Sequence, residues 1–593
     1  MNYPVWYLPD IGGGTLIALI AIVHVFLSHF AVGGGLYLVL AERKGLRENN
    51  PAILEFTKKH AKFFLLVTMV LGGITGVGIW FIISLVNPSA TSILIHTFVF
   101  GWATEWVFFL VEIVAIFVYY YCFDSMDTKT HQKVGWIYFV AAWLSLFVIN
   151  GIIGFMLTPG NWVADGSFWS GFFNPSFWPA LLFRTFVSLM LAGVYAFITT
   201  AFLQDRQFKS LMTLYSARWV LLSLLVAVPA GYWYLEILPS QALTLVGGAS
   251  PTIQISIRYG LIGVILLLVG TLVLLLVKPS YHTKSISFVV LISAFLFMGS
   301  FEWTREASRR PYVIDGYLYS NSVLEKDLKE VNSEGYLHEA RWVSTREVGT
   351  DNQLEAGREI FRNQCYACHT VRGINNPIAV RTATMDYLSL VNYLGRMHQI
   401  RYFMPPFAGN EAERKALAYF IIKGIQGKDV DLSTVQPKAS RSEGGVLFTS
   451  HCTICHPESL VKSRTASWDR KKIRWALDNL NRLQSAMPDF QGTPQEKDLI
   501  AAYIYSLQGA SDTQQGHEKG EEVFERNCAV CHTLREGANP LLPKMQHWTK
   551  EKLRNSLDML EKLKGGMPPL DTSDAEKDDL ADFLYSSLQG ESR

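Results

Sequence analysis

The sequence predicts an all-α chain in two parts: a polytopic transmembrane helix bundle of about eight spans, then three small α-helical modules. Three observations point there. Long apolar runs fill roughly the first 300 residues, and the remainder of the 593 is charged and polar. Half the residues are hydrophobic and the mean hydropathy is +0.19, too apolar for an ordinary soluble protein of this length. In the polar part, one pattern of glycine, phenylalanine, two cysteines and histidine occurs three times. The formal charge of +2 says little about partners, and no basic cluster with interleaved aromatics points to nucleic acid.

Eight runs reach or exceed the ~20 apolar residues that cross a bilayer. They cover residues 11–41, 61–87, 93–122, 134–157, 179–203, 217–238, 257–278 and 285–306. Arg43, Lys44, Arg47, Lys58 and Lys59 lie in the first loop, Lys129 and Lys133 in the third, Arg206 and Lys209 in the fifth, and Lys278 and Lys284 flank the seventh. The alternate loops 88–92, 158–178 and 239–256 hold no Lys or Arg. The positive-inside rule puts the basic loops in the cytoplasm and both termini outside. The expected place is a bacterial inner (cytoplasmic) membrane, with a periplasmic tail. Residues 1–10 have no basic n-region, and the run after them is too long for a signal peptide.

The tail is organised by Gly357, Phe361, Cys365, Cys368 and His369, repeated as Gly444, Phe448, Cys452, Cys455 and His456, and as Gly520, Phe524, Cys528, Cys531 and His532. Cys-x-x-Cys-His is the c-type haem attachment sequence: the thiols bond the porphyrin edge and the histidine ligates the iron. One match reads equally as a redox dithiol or half a zinc site; three with the same upstream Gly and Phe do not. Six of the seven cysteines are used, and Cys122, at the end of an apolar run, reads as packing. A Met-Pro dipeptide follows each motif, at Met404, Met487 and Met567. A thioether on a proline-stiffened loop suits a sixth ligand, although a methionine can also simply fill a core. Met397 and His398 are alternatives in the first module. Each module closes on an amphipathic helix carrying Tyr419, Tyr503 or Phe583. The expected domains are the bundle at 1–306, a periplasmic linker on the membrane surface at 307–353, and modules at 354–430, 440–510 and 516–593, with linkers at 431–440 and 510–516.

Ionisable groups at membrane depth are costly and default to function. His24 and His29 lie in the first span, Glu105 and Glu112 on one face of the third, Arg184 in the fifth and Glu306 at the outer end of the eighth. A lone buried histidine is ordinarily a hydrogen-bonded packing residue. With haem motifs elsewhere in the chain, His24 reads as a haem ligand, and Glu112 as a proton-relay group or a hydrogen-bonded acid. His60 and His96, near helix ends, read as interfacial. Gly12 to Gly14, Gly33 to Gly35, Gly72, Gly73, Gly76 and Gly78 allow either close helix packing or room for a flat macrocycle.

Residues 10–315 resemble subunit I of the cytochrome bd oxygen reductases. The likeness is carried by Ala21-Ile-Val-His24 running on to Gly33, by the Glu105/Glu112 helix ending Phe117-Val-Tyr-Tyr-Tyr-Cys-Phe-Asp124, by Asn150-Gly151 and Asn174-Pro175, and by Glu306-Ala-Ser-Arg309-Arg310-Pro311-Tyr312. The three modules resemble small class I cytochromes c. The resemblance implies high-spin haems at His24 and Glu306, with Glu105 or Glu112 nearby, and oxygen reduced to water. The spacing of the acidic pair differs by one residue from the family's, so Glu112 aligns better than Glu105. There are also departures. Arg184 stands where the family has the low-spin haem histidine, Gly260 stands where it has the methionine, and the long quinol-binding loop is absent from 239–256.

The expected function is therefore a cytochrome c-fed, bd-like terminal oxidase subunit. Electrons pass from a periplasmic donor along three covalent c haems to one or two b- or d-type haems in the membrane. His24, Glu105, Glu112 and Glu306 are the candidate catalytic residues, and Arg184 and Arg309 are candidates for proton delivery or haem propionates. The candidate iron ligands are His369/Met404, His456/Met487, His532/Met567, His24 and Glu306. Expected partners are the lipid bilayer, a small cytochrome or respiratory complex as donor or acceptor, and a second membrane subunit. Two alternatives stay open: an electron conduit, quinol-linked or not, without oxygen chemistry, and a tethered cytochrome with three haems only.

Overall fold

In a computed structural model, the described residues are 4–274, 279–383, 385–430, 443–452, 458–483, 490, 492–508, 519–529, 531–535, 539–563 and 567–589. They form two compact units, 1–378 with 401–413, and 379–400 with 414–593. The eight spans of the first unit are Gly13–Arg47, Pro51–Val86, Val99–Tyr121, Thr128–Phe155, Phe177–Ala201, Arg206–Glu236, Pro251–Leu272 and Lys284–Ala307. All eight expected spans are present.

The second, fourth and sixth helices begin six to eleven residues before their apolar runs, and the reason is capping. The Asn50 side chain accepts from Ala52 N at 3.0 Å, Asp127 from Thr130 N at 3.0 Å, and Asp205 from Gln207 N at 2.8 Å. Each side chain satisfies an otherwise orphaned N–H and starts the helix in the basic loop. Beside these starts, Glu42 joins the first, third and fourth spans: it accepts from the Tyr119 hydroxyl at 2.8 Å and lies 2.7 Å from His131 Nδ1.

Gly33, Gly34 and Gly35 serve close helix packing. A Cβ on Gly33 would lie 1.9 Å from Ser188 O, on Gly34 2.4 Å from the Phe64 ring, and on Gly35 2.5 Å from the Tyr138 ring. Bare backbone there lets the first span meet the second, fourth and fifth. His60 is a correction to the sequence reading. It is fully buried among Phe30, Tyr37 and Phe56, because the helix starting at Pro51 carries it into the bundle rather than to its edge.

Residues 307–353 carry short structure of their own. Tyr312–Ile314 pairs antiparallel with Leu318–Tyr319, and Ile314 and Leu318 join the same core as the spans. The buried Glu413 carboxylate accepts from Tyr336 N at 2.8 Å and Leu337 N at 2.7 Å, fastening the segment further along. Burial and the neighbouring Glu325 push the Asp315 carboxyl in the hairpin up to about 6. The folded state therefore holds this proton to higher pH than the unfolded chain does. Its contribution is intact below the ordinary carboxylate range and is lost as pH rises through about 6. Asp315→Asn is expected to raise the thermal midpoint near neutral pH, with an advantage that shrinks as the buffer is taken below pH ~5.

In the second unit, the opening and closing helices of the second and third modules cross through the repeated residues. In the second module, Glu443–His451 crosses Pro494–Leu507 where a Cβ on Gly444 would lie 2.0 Å from Leu499 O, and Phe448 packs on Tyr503 at 5.3 Å. In the third, Phe524 packs on Phe583 at 5.7 Å. The second and third modules share one ion-pair network: Arg474, Asp478, Lys497 and Asp498 recur residue for residue as Arg554, Asp558, Lys577 and Asp578.

Candidate haem sites

The helix Gln353–Ile360 continues through Phe361–Cys365 and delivers Cys365, Cys368 and His369 as a tight turn, with His369 N–H donating to Cys365 O at 2.9 Å. The third module makes the same turn, with His532 N–H donating to Cys528 O at 3.0 Å. Cys365, Cys368, Cys528 and Cys531 take part in no disulfide. His369 Nδ1 lies 2.9 Å from Asn376 O, and His532 Nδ1 lies 3.1 Å from Asn539 O. For His369 the carbonyl partner requires the proton on Nδ1, which leaves the ring lone pair on Nε2, the form that ligates iron, whereas His532 Nδ1 also lies 3.0 Å from the Asn539 side-chain amide. Asn376 and Asn539 reach back because both take positive φ, 43° and 60°. The two sites therefore fit a covalently held haem. Met404 and Met567 are described, on the loops before the closing helices. Cys452 is described; Cys455, His456 and Met487 lie outside the described residues.

In the membrane unit the candidate site residues form three groups. His24 Nδ1 lies 3.2 Å from the Thr75 hydroxyl, which itself donates to Leu71 O at 2.8 Å. That hydroxyl proton is committed, so Nδ1–H is the donor and the His24 lone pair sits on Nε2. Gly76 admits the ring: a Cβ there would lie 3.2 Å from His24 Cε1. The chemistry of this donor fits an iron ligand. His29 differs. Its Nδ1 lies 2.8 Å from Val25 O, and its Nε2 faces the Arg184 guanidinium at 3.5 Å.

From His29 a charged row runs to the end of the eighth span. Arg184 pairs with Glu302 at 3.0 Å, Glu302 with Arg305 at 3.0 Å, Arg305 with Glu306 at 3.7 Å, and Glu306 with Arg309. Arg184 and Glu302 are deeply buried, whereas Glu306 is partly exposed. Arg309 also donates to Val313 O at 3.0 Å, tying the row to the hairpin. In the third group, Glu105 accepts from the Ser145 hydroxyl at 2.9 Å. Glu112 is buried two turns along, and its Oε1 has no hydrogen-bond partner among the described residues.

The structure thus joins Arg184, Glu306 and Arg309 in one row, and sets Glu105 and Glu112 on a second face and His24 on a third. Among the described residues, no hydrogen bond or ion pair links His24 to Glu306. Sequence reasoning passed over Glu302, Arg305, Thr75 and Ser145. Glu302 did leave a signal, an acidic residue one turn deeper than Glu306 on the same helix face. Thr75 and Ser145 left none, because a hydroxyl inside an apolar run ordinarily bonds its own helix.

Three repeats of the haem-attachment motif and eight apolar spans together define a membrane haem protein of electron transfer. Residues 15–238 match the family model described as cytochrome bd terminal oxidase subunit I. Residues 352–421, 439–504 and 515–584 match that described as cytochrome C oxidase, cbb3-type, subunit III. The chain is a cytochrome bd subunit I-type membrane region fused to three cytochrome c domains. Among solved structures it is similar to the bd oxidase from Geobacillus thermodenitrificans, with 15% identity over 51% of this chain and 88% of that one and a TM-score of 0.46. No curated protein matches.

Proposed function

We propose that this membrane multihaem protein is the core of an oxygen reductase fed by its own c haems, in a bacterial inner membrane with the tail and both termini on the periplasmic side. Haem iron, where bound, supplies one-electron transfer and oxygen binding. The chain's residues do the rest. His369 with Met404, His456 with Met487, and His532 with Met567 would hold the c haems, which would carry electrons. His24 would hold a haem in the bundle that could bind oxygen, and Glu306 is the candidate ligand of another. Glu105 and Glu112 carry protons along the third span, where Ser145 of the fourth span donates to Glu105.

The contrast between the two histidines of the first span carries this reading: His24 keeps its lone pair on Nε2, whereas His29 turns Nε2 to Arg184. Support for a changed donor comes from Arg184, which is paired with Glu302 where the resembled family has a haem histidine. At the methionine position, a Cβ on Gly260 would lie 2.9 Å from Ser300 Cβ, so the seventh and eighth spans close on each other there.

The test is made on full-length protein in detergent. Three covalent haems and additional extractable haem are expected by pyridine haemochrome, with a carbon monoxide difference spectrum in the reduced state. Oxygen uptake is expected with a reduced small cytochrome and not with a quinol. A CO-silent protein, or uptake sustained by quinol alone, rejects the proposal.

A further inference from the structure

Residues 5–14 do more than lead into the first span. Leu8 N–H donates to the Tyr366 hydroxyl oxygen at 2.7 Å, and the Arg362 guanidinium donates to Val5 O at 3.1 Å. Val371 N–H and Ile374 N–H donate to Pro9 O and Asp10 O, each at 3.1 Å. The Tyr7 and Tyr366 rings meet edge to face at 4.9 Å. The segment is also tied to the second span, through Trp6 N–H to Leu85 O at 2.8 Å.

Glycine permits this closeness. A Cβ on Gly373 would lie 1.6 Å from Asp10 O, and one on Gly14 would lie 3.0 Å from Ala367 O. Tyr366 and Ala367 are the two residues between the haem cysteines of the first module. The third module has Ala529 and Val530 there, and Glu536 where the first has Gly373. The haem-attaching residues are shared between the modules, but the residues that touch the N-terminal segment belong to the first alone.

We propose that residues 5–14 are a built-in dock, fixing the first module's haem-attachment loop on the N-terminal end of the first span and making that module the fixed electron portal of the bundle. The portal rests on the reading of His24 as a membrane haem ligand. Gly14 precedes His24 by ten residues, about 15 Å along the helix at ~1.5 Å per residue. A docked attachment loop keeps a haem on the first module at a constant distance from a haem on His24. A module swinging on a linker approaches only part of the time.

Two variants of the full-length protein test the proposal. Tyr366→Phe removes one hydrogen bond without disturbing the fold, and Gly373→Val places atoms where Asp10 O now lies. The first readout is amide hydrogen exchange in peptides covering 4–14 and 366–378, alongside a count of covalent haems. Both peptides are expected to be protected in the parent. Exchange at Leu8 is expected to rise roughly two- to tenfold in Tyr366→Phe, the range of one net hydrogen bond. Protection of both peptides is expected to be lost in Gly373→Val, with covalent haem unchanged in Tyr366→Phe. Unprotected peptides in the parent, or protection indifferent to both variants, overturn the dock. The second readout is the rate of electron transfer from c haem to extractable haem after rapid photoreduction. In Gly373→Val it is expected to fall by about tenfold or more, the scale on which a misplaced reacting pair loses rate. Lost protection with an unchanged rate overturns the portal. A parent with no extractable haem overturns the membrane-haem reading and the portal with it, while exchange still decides the dock.

Discussion

His24→Ala is expected to lower extractable haem by one equivalent per chain, abolish the carbon monoxide signal of the bundle and stop oxygen uptake, while the three covalent haems keep their spectrum. The reason lies in one hydrogen bond. The Thr75 hydroxyl donates to Leu71 O, so it can only accept from His24 Nδ1, which fixes the tautomer. Histidine ligands are ordinarily held by such an outer partner, and losing the partner costs roughly 10- to 100-fold in affinity. Thr75→Val should therefore give a milder form of the same loss, with haem retained at high concentration and released on dilution. His29→Ala is the control. Its Nε2 faces Arg184, so this variant is expected to disturb stability and to keep the carbon monoxide signal. If His24→Ala retained the signal and His29→Ala lost it, the two roles would be exchanged and the proposed site would fall.

The eight spans were legible because the bilayer imposes length and apolarity on each one separately. Their starts were less so. Asn50, Asp127 and Asp205 prolong three helices into the basic loops, where hydropathy is silent and only capping chemistry speaks. The three cytochrome c regions were legible because covalent haem attachment demands a contiguous motif. The partners inside the bundle were not, since nothing in a single run says which neighbouring span a charge will face. Arg184 stood out as a cation at depth, but its pairing with Glu302 joins the fifth span to the eighth. The glycines of the first span show the same limit: Gly33 to Gly35 serve helix contact, and Gly14 serves the attachment loop, with nothing in the local sequence to separate them.

The buried row yields the second large effect. Arg184→Leu is expected to destabilise the membrane unit by about 3–5 kcal/mol, the cost of stripping one partner from a buried ion pair. Glu302 would keep Arg305 but lose the guanidinium 3.0 Å away, in a setting where water cannot replace it. Glu302→Gln should be as costly from the other side, because it leaves Arg184 facing the His29 ring and Arg305 facing only Glu306 at 3.7 Å. The double variant Arg184→Leu/Glu302→Leu removes both charges together and should recover a large part of either loss, since apolar side chains of similar volume often replace buried pairs without penalty. Thermal unfolding in detergent, followed separately from the c-haem spectrum, reads all three. The same set separates an ion pair from a propionate anchor. A paired Arg184 predicts lower stability with extractable haem still present in the folded fraction, and recovery in the double variant. An Arg184 that holds a haem carboxylate predicts haem loss at nearly unchanged stability, with no recovery when Glu302 is also removed. The geometry favours the first outcome, because Arg184 already has Glu302 on one nitrogen and His29 on another.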